Sequence, residues 1–261
     1  MHFDQIGEQS VKVSFIIAGV QKGGTTALDK FLRSHPQLAM PKRKEVHFFD
    51  DETIDWNSPD YSRYLAFFAP SEGQILGEAT PIYTYWQPSI ERIYKYNPST
   101  KLIVILRDPV KRAFSHWEME VSRQYDRYKF PVVIRDGRVR VTNNKGSMYG
   151  CHRIFSYVER GFYAPQVERL FEYFPREQVL FLDNDQLRNE QRGVLDRICE
   201  FLGVLPFSKY PENENILPTR KQTGLGKIAD EDKQYLVDLY REDTAKTAEL
   251  TGLDVSHWTS S

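Results

Sequence analysis

The stretch Phe15-Ile16-Ile17-Ala18-Gly19-Val20-Gln21-Lys22-Gly23-Gly24-Thr25-Thr26-Ala27-Leu28 passes from an apolar run through a glycine turn into a helix start. Backbone N–H groups face outward at such a turn, and the N-terminus of the following helix adds positive potential, so the segment suits a phosphate. Gly19, four residues and then Gly24 match the opening of a triphosphate-binding loop, but Thr25 stands where that loop carries its lysine. Lys22 lies forward, on the turn itself. A phosphate cradle without the γ-phosphate lysine points to a different donor; the plain alternative is a tight strand-to-helix turn.

Working outward, apolar runs alternate with helical periodicity. Strands are predicted at Val13–Val20, Gln74–Gly77, Lys101–Leu106 and Gln178–Leu182. Helices are predicted at Thr25–Ser34, at Pro88–Tyr96 with Ile90, Ile93 and Tyr94 on one face, and from an Asp108-Pro109 start to about Arg123. Further helices fall at about His152–Glu159, Ala164–Phe174, Gln191–Leu202 and Ala229–Thr251. Pro131–Thr142 reads as a hairpin, with Val132-Val133-Ile134 and Val139, Val141 flanking Asp136-Gly137. Strands separated by helices give an α/β fold, a central parallel sheet flanked by helices. With no repeat or linker in view, residues 1–261 read as a single domain with its core at about 13–255.

Acidic and basic residues nearly cancel to a formal net charge of −1, which argues against nucleic acid as the main partner. A hydrophobic fraction of 40% suits a packed core. No apolar run approaches the roughly 20 residues of a membrane span. Met1–Val11 lacks the pattern of a signal peptide, so a soluble cytoplasmic protein is expected. Cys151 and Cys199 show neither metal spacing nor a disulfide framework and read as ordinary thiols.

A second cluster, Ile105-Leu106-Arg107-Asp108-Pro109-Val110-Lys111-Arg112-Ala113-Phe114-Ser115, places Arg107 at the carboxyl end of a strand, where open α/β sheets bind ligands. Ser115 lies two turns into the following helix, so both residues are candidates for one anion, with the arginine fork matched to phosphate. A salt bridge from Arg107 to Asp108 is the plain alternative.

Together the two clusters resemble the 5′-phosphosulfate loop and the 3′-phosphate segment of sulfotransferases that use 3′-phosphoadenylyl sulfate (PAPS). The resemblance implies that Lys22, Gly23, Gly24, Thr25, Thr26 and Ala27 hold the 5′-phosphosulfate, that Lys22 steadies the leaving group, and that Arg107 and Ser115 hold the 3′-phosphate. It extends to Lys44-Glu45-Val46-His47-Phe48-Phe49-Asp50, similar to a motif of the heparan sulfate sulfotransferase branch and its bacterial relatives, whose glutamate is the proposed base. If Glu45–Phe49 is extended, Glu45 and His47 share one face, so both are candidate bases. Gly77-Glu78-Ala79-Thr80-Pro81-Ile82-Tyr83, Arg135-Asp136-Gly137-Arg138 and Gly161-Phe162-Tyr163 through Phe174-Pro175 resemble further family segments, and the agreement runs from about Phe15 to Asp183.

A lysine usual in the heparan sulfate enzymes is replaced here by Ala79, which points away from a highly sulfated polysaccharide. The basic loop Thr219–Lys227 matches by position a loop that closes on the donor, making Arg220, Lys221 and Lys227 candidates. Arg135, Arg138, Arg140 and Lys145 are candidates for one wall of an acceptor cleft, and His116, Trp117, Tyr83, Tyr85 and Trp86 for its lining or for core. The implied reaction moves a sulfuryl group from PAPS to a hydroxyl, or less favourably an amine, of a small-molecule or carbohydrate acceptor, releasing PAP without a metal. Two rivals stay open: a nucleotide kinase or NTPase, and a non-catalytic nucleotide-binding module. Oligomeric state is not readable from the sequence.

Overall fold

Five parallel strands form one sheet in the order β2-β3-β1-β4-β5: β1 Val13–Gly19, β2 Leu38–Ala39, β3 Ile75–Ala79, β4 Lys101–Leu106 and β5 Val179–Asp183. The computed structural model describes residues 12–143, 150–212 and 227–258. Alternation along the strands sends side chains to two cores. From β1 and β4, Ile16, Ala18, Leu102, Val104 and Leu106 enter one cluster, and Phe15, Ile17, Ile103 and Ile105 the other. The first is covered by α3 (Gln87–Tyr96) and α7 (Ala164–Tyr173), the second by α1 (Thr25–Arg33) and α9 (Gln191–Leu202). Strands covered on both faces are apolar nearly throughout, as these are.

The chain leaves β1 outward to β2 and β3, then returns to β4 on the other side. The crevice at this reversal is where open α/β sheets bind ligands, and the turns after β1 and β4 border it. A third cluster packs α4 (Pro109–Ser122), α5 (Phe130–Ile134) and α10 (Asp230–Thr251) beside the sheet.

Most predicted elements are present. The two-residue strand β2 and the short helices α2 (Tyr61–Leu65) and α8 (Asn184–Asn189) are additions, each too short to leave a periodic signal. The predicted hairpin is a correction: α5 is followed by a 3-10 turn over Asp136–Asn143. Val133 and Ile134 are adjacent and both buried while Val132 is exposed, a pattern that a hairpin strand buried on one face does not give but one helical turn against Trp117 and Phe114 does. The helix predicted over His152–Glu159 is likewise shorter: α6 spans Cys151–Phe155, and a separate 3-10 turn covers Glu159–Gly161.

Candidate active site

The β1–α1 loop is tightly tied. Val20 N–H donates to the Ile105 carbonyl at 3.0 Å, and Asn184 Nδ2, at the start of α8, donates to the Gly23 carbonyl at 2.7 Å. Gly24 takes φ 108°, and a Cβ there would lie 2.5 Å from Asn184 Nδ2, so both its backbone and its space call for glycine. Ala27 and Leu28 N–H both return to the Gly24 carbonyl. The N–H groups of Thr25 and Thr26 precede the first intrahelical bond and face whatever lies at the helix start. Thr25 is buried, Thr26 exposed and Lys22 half-buried, with φ 69° and its Nζ 3.8 Å from Met119 Sδ.

Arg107 is held next to this loop. Its Nη1 donates to the Lys22 carbonyl at 3.1 Å, and Tyr163 Oη donates to the Arg107 carbonyl at 2.8 Å. Among the described residues Arg107 has no ion pair. Asp108, the expected partner, instead caps α4 by accepting Val110 and Lys111 N–H. Burial lowers the Arg107 guanidinium from its usual range, and the neighbouring Arg188 charge adds to this. Ser115 is half-buried on α4, and no hydrogen bond joins it to Arg107.

A cleft of about 660 Å³ is bordered by Gln21 of the loop, Glu45, His47, Glu120, Arg123, Arg153 and Arg160. Glu45 and His47 meet, as an extended strand would have it, but by another backbone route: φ is 61° and 57°. Burial of Val46 between them and of Phe48 just after, and a hydrogen bond from Glu45 N–H to the Ala79 carbonyl at 3.1 Å, hold that shape. His47 Nε2 lies 3.5 Å from Glu45 Oε2, and its Nδ1 lies 3.0 Å from Asp50 Oδ2. Asp50, fully buried, is paired in turn with Arg153. Burial would raise the Glu45 carboxyl, but the hydrogen bond from His47 and the charge of Lys44, 2.5 Å away, outweigh it and draw it down to about 2. Burial would lower His47, but hydrogen bonds to Asp50 and Glu45 prevail and raise it to about 9. At neutral pH the pair is thus carboxylate and imidazolium. Burial raises Glu120 despite the nearby Arg123, Arg160 and Lys22.

The sulfotransferase domain profile matches residues 12–225. The chain belongs to the sulfotransferase domain family. Heparan sulfate glucosamine 3-O-sulfotransferase 3B1 of Homo sapiens is 34% identical over 192 residues, 72% of this chain and 45% of that protein. Heparan sulfate glucosamine 3-O-sulfotransferase 5 of Mus musculus is 33% identical over 220 residues, 80% and 58% of the two. The chain spans about half the length of the curated relatives it matches. The solved sulfotransferase from Alicyclobacillus acidocaldarius superposes with a TM-score of 0.79 at 26% identity, over 95% of this chain and 99% of the other. The sulfotransferase domain from the Synechococcus PCC 7002 olefin synthase, at 16% identity and TM-score 0.51, shares the fold.

In this sulfotransferase domain the arginines that were candidates for one wall of the acceptor cleft are engaged in ion pairs instead. Arg135 pairs with Asp232 at 2.6 Å, Arg138 with Glu159 at 2.8 Å and Arg140 with Asp126 at 3.0 Å. Without a hairpin to display them, they fasten the α5 region to its surroundings. His116, Trp117, Tyr83 and Trp86 are buried; Tyr85 and Trp86 border a separate cavity with His152. Lys227 is exposed, whereas Arg220, Lys221 and Lys145 lie outside the described residues. Cys151 and Cys199 are both free thiols. Sequence reasoning missed Asp50, Arg153, Arg160, Glu120, Arg123 and Arg188. Only Asp50, three residues beyond His47, carried a local signal. The others gain their place from tertiary packing. Asp183, Asp185 and His257 also gather, their ligand atoms within 4.8 Å of one another, but the Asp183 oxygens already accept Asp185 and Gln186 N–H and Trp258 Nε1.

Proposed function

We propose that this chain transfers a sulfuryl group from PAPS to a hydroxyl of a small-molecule or carbohydrate acceptor. One observation carries the reading: loop residue Gln21 and the Glu45–His47 pair border a single cleft, so a donor on the loop and an acceptor at Glu45 would meet. The N–H groups of the β1–α1 loop hold the 5′-phosphosulfate, and Lys22 steadies charge on the bridging oxygen as PAP leaves. Arg107, without an ion pair among the described residues and bonded to the Lys22 carbonyl, holds the 3′-phosphate together with Ser115. Glu45, already a carboxylate, takes the acceptor proton, while His47 as imidazolium orients it. The sulfur–oxygen bond to the acceptor forms as that to the phosphate breaks, in line. Nothing in this sequence of steps calls for a metal.

The kinase rival needs a lysine where Thr25 stands. Calorimetric titration with adenosine 3′,5′-bisphosphate against 5′-AMP, without magnesium, tests the donor assignment. Tight binding that collapses without the 3′-phosphate is the expected result; equal or absent binding of the two overturns it.

A further inference from the structure

Among the described residues, the cleft holds one guanidinium with no carboxylate within ion-pair distance. Among the described residues its other basic side chains each have a carboxylate within ion-pair distance: Arg153 has Asp50, Arg123 has Glu120 at 3.3 Å, and His47 has Asp50 and Glu45. Arg160 is only 3% exposed, yet its hydrogen bonds all go to neutral acceptors. Nε donates to Ser156 Oγ at 2.8 Å, Nη1 to Gln21 Oε1 at 2.7 Å and Nη2 to the Arg153 carbonyl at 2.7 Å. This leaves one further N–H on each terminal nitrogen. Withdrawing a guanidinium from water without a counter-ion is costly. Burial, joined by the Arg112 and Arg153 charges, outweighs the attraction of Tyr85 and Glu120 and draws Arg160 down to about 10. An anion entering the cleft would relieve that cost.

We propose that Arg160 is an acceptor-recognition residue, binding a carboxylate of the acceptor through those two N–H groups while the acceptor's hydroxyl lies at Glu45. The inference rests on the acceptor-cleft reading above. A carboxylate matches a guanidinium bidentately. The same cleft contains Glu45 and Glu120, which repel additional negative charge, so the class favoured is a hydroxy acid with one anionic group and not a densely sulfated chain. The Arg160–Gln21 hydrogen bond places this anchor one residue from Lys22, so holding the carboxylate also sets the acceptor against the donor loop.

The test is calorimetry on protein saturated with adenosine 3′,5′-bisphosphate, titrated with methyl β-D-glucuronide and methyl β-D-glucoside, which differ in the carboxylate. The glucuronide should bind about tenfold tighter or better, the size of one charge-assisted hydrogen bond. Arg160→Gln should erase the preference and Arg160→Lys should keep part of it, with bisphosphate affinity unchanged in both. Equal affinity for the two sugars, binding of neither, or a preference that survives in Arg160→Gln overturns the proposal. If Arg160→Gln also loses the bisphosphate, Arg123→Gln decides: a preference kept there supports Arg160, and one lost there moves the anion site to Arg123. Failure of the wild-type protein to bind the bisphosphate would instead sink the donor assignment.

Discussion

Lys22 and Arg107 lie side by side, joined through the Lys22 carbonyl, yet the proposed chemistry separates their roles. Lys22 acts on charge that develops only as the donor leaves. Lys22→Ala should therefore lower kcat about 10²–10³-fold while leaving bisphosphate affinity nearly intact. Arg107 acts on a charge present throughout, so Arg107→Ala should weaken bisphosphate binding roughly 10–100-fold, the value of a charged hydrogen bond. Paired calorimetry and steady-state kinetics distinguish the two, and equal small effects would count against both roles. With Glu45 proposed as the base, Glu45→Gln should cost about 10²–10⁴-fold in rate with unchanged bisphosphate affinity.

At the scale of elements, β3 carries a buried carboxyl that serves structure. Glu78, with no exposed surface, accepts hydrogen bonds from Tyr64 at 2.7 Å, Thr80 at 2.8 Å and Tyr83 at 3.1 Å, fastening α2 and the turn after β3 to the sheet. Burial nonetheless prevails and raises its pKa from 4.5 to about 7. A raised folded-state value means that the proton-linked stability is full below about 4.5 and is lost as pH rises through about 7. Glu78→Gln should flatten the slope of urea stability across that interval; an unchanged slope would place the titration elsewhere. Between elements, Asn184→Ala removes the donor to the Gly23 carbonyl and should cost about 1–3 kcal/mol, lowering the urea midpoint and bisphosphate affinity together. The hairpin misreading also belongs to this scale. Asp136-Gly137 is a genuine turn signal, but packing of Phe130, Val133 and Ile134 on α4 decides how the chain approaches it.

Across the whole molecule, the Asp50–Arg153 pair links positions 103 residues apart and is buried on both sides. Removing one partner of such a pair leaves an uncompensated charge, so Arg153→Met should destabilise the protein by about 3–5 kcal/mol. The attached His47–Glu45 pair gives this connection a pH window. Stabilisation through His47 is full below about 6.5 and is lost as pH rises through about 9; that through Glu45 is full above about 4.5 and is lost as pH falls toward 2. The urea stability gap between wild type and His47→Gln should therefore be wide near pH 6 and shrink beyond pH 9, and a constant gap would show that His47 does not titrate with folding. The amino-acid sequence alone specified the parallel sheet, the glycine turn after its first strand and Arg107 just past the end of β4. Each follows from side-chain alternation, backbone freedom or spacing within a few residues, which operate locally. Folding alone settled that Arg153 would support Asp50, that Arg160 would have no carboxylate within ion-pair distance among the described residues, and that Arg135, Arg138 and Arg140 would be used up in internal pairs. Those outcomes depend on which distant charges share a desolvated space, and burial and Coulomb attraction act on proximity that the chain acquires only by folding.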